Sequence, residues 1–404
     1  MKKNVLLFTF ANVFYNACTW LITVLVVHLA TFEQAGYLSL AMSISSTCST
    51  IALFNMRSFQ ITDVKHEFLT SEYVTSRIIT TLVSIIICMI AAIDVNDPYQ
   101  SLCINLYMII KATEAVIDVF HGIDQIHERF DYIFVSCVLR GIAFVACFTV
   151  GLKLTGKLAV AILLIALVHI IIGVFYDIRK TTKLEEVKLL KSGRIYELLK
   201  KCIPLVVFMF CLSLINTLAK NVLGAYFGKE ELGIYSTIAS PTLVVQVFAT
   251  VAFSPFLPRI SELNIQKDCF KLQQMLNKVY VAFAGLALIV NIGAVLLGRW
   301  GLELLFGQEI LANYNLFMPV VWVTVLYSVV FVLSQIMISF RKIKEIIIGM
   351  IMIMITFAVI VYPSMKSWGL NGASYSQIIA FLVFVPYMIF VCERHVKKEI
   401  EVTC

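Results

Sequence analysis

The chain of 404 residues is 60% hydrophobic and only 14% charged, with a mean hydropathy of +0.91. That balance excludes an ordinary soluble globular protein and points to a chain that crosses a bilayer many times. The net charge of +7 follows from basic residues placed between the apolar runs, so it requires no nucleic-acid partner.

Each crossing needs roughly 20 apolar residues. In chain order, the apolar runs place spans over 4–29, 36–56, 74–94, 99–121, 132–152, 157–177, 203–222, 234–257, 279–299, 313–340, 345–363 and 369–392. Backbone polar groups in lipid must be satisfied internally, and long uninterrupted apolar runs meet that demand as helices rather than as a barrel. The expected fold class is therefore all-α and polytopic, with twelve transmembrane helices in two six-helix lobes around a central cavity. The start, "MKKNVLLFTF", has the basic flank of a signal peptide. Its apolar stretch runs to about Leu29 without a small-residue cleavage site, so it reads as a retained first span.

Outer connections are short: 30–35, 95–98, 153–156, 223–233, 300–312 and 364–368. The long one is "RKTTKLEEVKLLKSGRIYELLKK", residues 179–201. Thr182 and Glu185 have capping-box spacing, and Leu184, Val187, Leu190 and Leu198 alternate with lysines. The segment reads as an amphipathic surface helix joining two six-span halves, and a solvated charged linker fits the pattern equally well. The organisation expected is a lobe over 1–177, a cytosolic linker over 178–202 and a second lobe over 203–404. Lys and Arg number 23 in connections on one side against five on the other, which puts both termini in the cytosol.

The halves echo each other. "FEQAGYLSLAMSI" (32–44) and "KEELGIYSTIASP" (229–241) align at an offset of 197, matching Glu33 with Glu230, Gly36 with Gly233 and Ser39 with Ser236. Both segments enter the second span of their half, which indicates a parallel pseudo-repeat of the kind that builds transporters.

The fourth span carries three ionisable groups, Lys111, Glu114 and Asp118. A charge at mid-helix costs roughly 2.5–3.5 kcal/mol on insertion scales, so three facing lipid would cost roughly 7–10 kcal/mol. At about 100° per residue they fall within roughly 60° of one another, on one stripe that must face protein or water. Arg77, Arg140 and Lys220 lie in other spans, and Arg57 lies beside the cytosolic end of one. If Glu114 and Asp118 neutralise two of Arg77, Lys111 and Arg140, one cation of that set remains. A cavity of net positive potential that admits a pyrophosphate is the expectation, with Arg77, Lys111, Arg140, Arg57 and Lys220 binding substrate. Glu114 and Asp118 serve as coupling or ion-pair carboxylates. The bland alternative is a local Lys111–Glu114 pair that neutralises charge during insertion, with Arg77 and Lys220 snorkelling from span ends.

Eleven cysteines are scattered without C-x-x-C or metal-like spacing, so neither a disulfide scaffold nor a metal site is expected, nor any cofactor. His28, His121 and His169 have no carboxylate at ligand spacing within their own helices, which suggests packing or interface roles.

These segments also resemble a known family. "EQAGYLSLAMSISS", "FNMRSFQITDVKHEF" and "SRIIT", then "IKATEAVIDVFHGIDQ", "RFDYIFVSCVLRGI" and "FYDIRK", are similar to the first lobe of the Wzx-type O-antigen and polysaccharide flippases. "LKKCIPLVVFMF" and "GKEELGIYSTIASP" through "SPFLPRISEL" extend the likeness to about residue 263, and the last four spans agree in hydropathy and in details such as "GLNGASYSQ". The resemblance implies a twelve-helix member of the multidrug/oligosaccharidyl-lipid/polysaccharide exporter superfamily in the bacterial inner membrane. It further implies an undecaprenyl-pyrophosphate-linked oligosaccharide as substrate, an O-antigen or capsule repeat unit moved from the cytosolic to the outer leaflet by alternating access. Arg77, Lys111 and Arg140 match cavity cations, membrane lipid surrounds the tail, and glycan-polymerase machinery is an expected partner.

Two rivals remain. A drug or cation antiporter of the same superfamily needs an anionic cavity, and here no carboxylate lies in the first span, and none lies within the spans of the second half beyond Glu345 at the very start of one. A membrane glycan polymerase or ligase needs polar groups in a sizeable outer loop, and the outer connections are too short to supply them. No catalytic residue is expected.

Overall fold

The computed structural model describes residues 2–63, 67–93, 95, 97–190, 193–246, 253 and 256–403. Helices fill nearly all of it, and no strand occurs among the described residues. Nine helices among those residues are long and apolar enough to cross a membrane, which makes the chain a multi-pass membrane protein. The span expected over 234–257 lies partly outside the described residues.

The chain divides into two compact units, Met1–Thr217 and Leu218–Cys404. In the first, α1 (Lys2–Leu29), α2 (Phe32–Leu53), α3 (Met56–Thr62), α4 (Thr70–Ile93), α5 (Pro98–Ile126), α6 (Phe130–Thr155) and α7 (Leu158–Ile172) follow in order. A π turn, Gly173–Ile178, continues α7 into Arg179–Thr181. The next helix, α8 (Arg194–Phe227), begins in the first unit and ends in the second. The second unit holds α9 (Lys229–Ala239), α10 (Phe256–Gln266), α11 (Cys269–Phe306), α12 (Phe317–Ser339), α13 (Ile343–Trp368) and α14 (Asn371–Thr403).

Local chemistry sets the boundaries. Thr31 caps α2 by accepting from the Gln34 amide, and Asp97 caps α5 by accepting from the amides of Tyr99 and Gln100, with Pro98 at the first helical position. Gly156, at φ +65°, closes α6 in the left-handed conformation. The two echoing segments each open a helix: Glu33 lies in the first turn of α2 and Glu230 in that of α9, where the helix dipole favours a carboxylate.

In the first unit α1 packs on α6, and α5 packs on α2, α4 and α7. Their shared core holds Ile104, Tyr107, Phe144, Phe148, Ile162 and Ile165, all buried. Lipid offers no hydrophobic drive between helices, so close fit holds them together, and small residues set the approach. At the crossing of α6 and α7, a Cβ on Gly151 would stand 2.7 Å from the Cα of Ala161, a backbone atom. Gly151→Ala is expected to cost about 1–3 kcal/mol through overpacking, read as a lower unfolding temperature in detergent; an unchanged temperature would mean the crossing has slack.

The long connection departs from the helical expectation. Residues 183–190 form turns and irregular chain, and the helix resumes only at Arg194. Thr182 caps nothing at an N-terminus; its hydroxyl bonds back to the Ile178 carbonyl and its amide does the same, ending the preceding turn. The amides of Lys188 and Leu190 donate instead to the hydroxyls of Ser71 and Thr75 on α4. Side-chain acceptors on α4 thus satisfy backbone donors that an isolated helix would have used. Leu198, part of the apolar alternation, is buried with Cys202 and Val206 on α8 against Met56, Tyr73 and Phe120.

Candidate functional site

Helix α5 supplies the centre of the polar network. Lys111, Glu114 and Asp118 retain side-chain exposures of 21, 18 and 21%, whereas Ile110 and Ile117 on its other faces are buried. The three do fall on one stripe, and cations from other helices of the first unit meet it.

Around Asp118, two guanidinium groups converge. Arg57 Nη1 donates to Asp118 Oδ1 at 3.1 Å and Arg77 Nη2 to Oδ2 at 2.8 Å. The backbone explains how Arg57 arrives. Phe54 and Asn55, both non-glycine residues at φ +46° and +47°, break α2 from α3 and turn Arg57 toward α5. Such left-handed positions cost of order 1–3 kcal/mol and persist where surrounding structure holds them. The break also leaves carbonyls in the last turn of α2 without intrahelical donors. The carbonyl of Ala52 accepts from Arg77 Nη1 at 3.0 Å and from Thr80 Oγ1 at 2.8 Å. Arg77 is 0% exposed, and its Nε is buried with no hydrogen-bond partner among the described residues. Arg57 is 20% exposed, its second terminal nitrogen donates to Gln125 Oε1 at 3.1 Å, and its guanidinium lies 5.4 Å from the Phe8 ring centre.

One turn along α5, Lys111 Nζ donates to Glu114 Oε2 at 2.9 Å. The other oxygen of Glu114 accepts from the Tyr15 hydroxyl. Tyr15 Oη also lies 3.3 Å from His169 Nε2, and His169 Nδ1 is 3.0 Å from the Ile165 carbonyl.

Arg140 is 4% exposed and has no carboxylate within ion-pair distance among the described residues. Its Nε donates to Ser136 Oγ at 3.2 Å, its Nη2 contacts Cys137 Sγ at 3.7 Å, and its guanidinium stands 5.0 Å from the Tyr15 ring centre. Of Arg77, Lys111 and Arg140, the first two are neutralised by Asp118 and Glu114. Tyr15 therefore touches both halves of this part of the network, ring on Arg140 and hydroxyl on Glu114. Lys220 lies in the other unit, half-buried, with no ion pair among the described residues.

Two further polar contacts close the end of the bundle near Arg57. His121 Nε2 meets Asp177 Oδ1 at 3.0 Å, both side chains almost fully buried, and Thr181 Oγ1 donates to Asp124 Oδ1 at 2.8 Å. The wider π turn places Asp177 there, a common role for such insertions near functional residues. His121 and His169 are buried, as a packing role requires, yet each also belongs to a polar network. Tyr15, Gln125 and Asp177 carried no signal in the sequence beyond their being polar residues in or beside apolar runs.

A family model described as "Polysaccharide biosynthesis protein" matches residues 1–264. The chain belongs to that family. A capsular polysaccharide biosynthesis protein of Staphylococcus aureus, CapF, is 24% identical over 400 residues, covering 96% of this chain and 99% of that one. Among solved structures, the lipid II flippase MurJ in an inward closed conformation aligns with a TM-score of 0.69 at 13% identity, covering 98% of this chain and 90% of MurJ. An inward-facing multidrug resistance MATE transporter of the MOP superfamily aligns at 0.68 with 14% identity, covering 95% of each chain. The family's fold is thus that of the MATE and MurJ transporters.

Proposed function

We propose that the chain flips an undecaprenyl-pyrophosphate-linked oligosaccharide, a capsule or O-antigen repeat unit, from the cytosolic to the outer leaflet of the bacterial inner membrane by alternating access. One observation carries this reading: four basic side chains, Arg57, Arg77, Lys111 and Arg140, stand beside Glu114 and Asp118, and Arg140 makes no ion pair among the described residues. Guanidinium groups fork onto phosphate oxygens, and low surrounding dielectric strengthens each such bond. Family membership supplies the polysaccharide, and the MurJ likeness supports a lipid-linked form of it. The isoprenoid tail stays in the bilayer while the charged headgroup passes. Both termini face the cytosol, and the chain forms two six-helix lobes. Glycan-polymerase machinery is the consumer this reading implies on the outer side.

A drug or cation antiporter would need free carboxylates for a cationic cargo. Glu114 and Asp118 are already held by Lys111, Arg57 and Arg77, which speaks against it.

The test is translocation. Depleting the protein is expected to leave lipid-linked oligosaccharide on the cytosolic leaflet, measured by its accessibility to a membrane-impermeant glycosidase or lectin. Normal arrival outside would sink the reading.

A further inference from the structure

Asp118 occupies the place an incoming anion would take. Each guanidinium gives it a single hydrogen bond, one to each carboxylate oxygen, so neither fork is used in full. Arg77 is fixed: it is buried and tied to the Ala52 carbonyl, and its unpartnered Nε shows donor capacity that the carboxylate does not take up. Arg57 is 20% exposed, and its second terminal nitrogen donates to the neutral amide oxygen of Gln125. Asp118 is itself partly exposed beyond its contacts with the two cations. A phosphate group offers more acceptor oxygens than a carboxylate and takes forked donors in pairs.

From this geometry we infer that Asp118 is an internal counter-ion that holds Arg57 and Arg77 while the site is empty and competes with the substrate's pyrophosphate for them. The identity of that anion rests on the flippase reading; the competition rests on the contacts. Two guanidiniums alone would hold a dianion firmly. With Asp118 retained, the set carries one net positive charge, so an arriving pyrophosphate must displace the carboxylate, and the carboxylate's return helps to expel it. A transport site has to bind well enough to load and weakly enough to unload. Asp118 sets that compromise as a positioning and affinity-tuning residue.

The test uses the full chain purified in detergent, titrated calorimetrically with inorganic pyrophosphate and, separately, with undecaprenyl pyrophosphate. Asp118→Asn keeps an acceptor oxygen for one of the two arginines and removes the competing charge, and it is expected to bind both probes about 10-fold more tightly. Tightening with the lipid alone would assign the site to the headgroup together with its tail, and tightening with both assigns it to the pyrophosphate; either supports competition. Adding Arg57→Gln to that variant is expected to reverse the gain. In proteoliposomes, Asp118→Asn should lower KM and kcat together, a split that a merely structural tie would not produce. Unchanged or weaker binding of both probes overturns the inference. Should Asp118→Asn not yield folded protein, Asp118→Glu keeps the competitor and is expected to bind within about 3-fold of wild type; a larger change overturns it as well. If the wild type moves no lipid-linked oligosaccharide while Asp118→Asn still tightens inorganic pyrophosphate, the flippase reading fails and this one stands. If the wild type flips and Asp118→Asn binds no tighter, this one alone fails.

Discussion

Glu114→Ala is expected to cut the amount of folded protein in the membrane several-fold, and adding Lys111→Met is expected to restore most of it. Glu114 accepts from Lys111 and from the Tyr15 hydroxyl, and among the described residues Lys111 has no other carboxylate within ion-pair reach. Removing the acid strands an ammonium in a membrane helix. Breaking such a pair costs about 3–5 kcal/mol when it is fully buried, and less here because both side chains keep some exposure. Removing both charges deletes the stranded group and its desolvation penalty together, so stability returns while any part the lysine plays with substrate does not. Membrane abundance and export, measured side by side, separate the two roles. If the double variant exports normally, the pair serves insertion and folding alone, the local neutralising role that its i,i+3 spacing also allows.

That pair was legible from spacing, because both partners lie on one helix. The remainder of the network was not, and the reason is geometric. Arg57 and Arg77 reach Asp118 from α3 and α4, so their meeting depends on the left-handed break at Phe54 and Asn55, which no hydropathy pattern marks. Asp177 reaches His121 only through the added residue of the π turn; a search for carboxylates within one helix passes over it. Tyr15 reads as an ordinary aromatic in a first span, yet it joins Glu114, His169 and Arg140. The bundle itself was plain because a run of about 20 apolar residues has one stable answer in lipid. The connection over 183–190 misled for the opposite reason. Its leucine and valine alternation suits a surface helix, but hydroxyls on α4 offer its amides a competing partner, and part of the apolar pattern belongs to the start of α8.

Arg140→Ala is expected to behave in the reverse sense from Glu114→Ala, with abundance kept and export lost. Arg140 forms no ion pair, and its bonds are to a serine hydroxyl, a thiol and an aromatic face. Holding a bare guanidinium there costs desolvation that those neutral partners only partly return, so its removal should leave stability near wild type. A residue kept at such a cost is a functional candidate by default. Its guanidinium stands beside the Tyr15 ring, whose hydroxyl donates to Glu114. Losing one charge-assisted fork to phosphate, about 3 kcal/mol, corresponds to roughly a 100-fold drop in transport. Arg140→Lys should recover only part of it, since an ammonium carries the charge without the fork. Export per folded molecule, measured as lipid-linked oligosaccharide reaching the outer leaflet, decides the matter. Equal falls in abundance and export would make Arg140 a packing residue and remove the cationic excess from the proposed path.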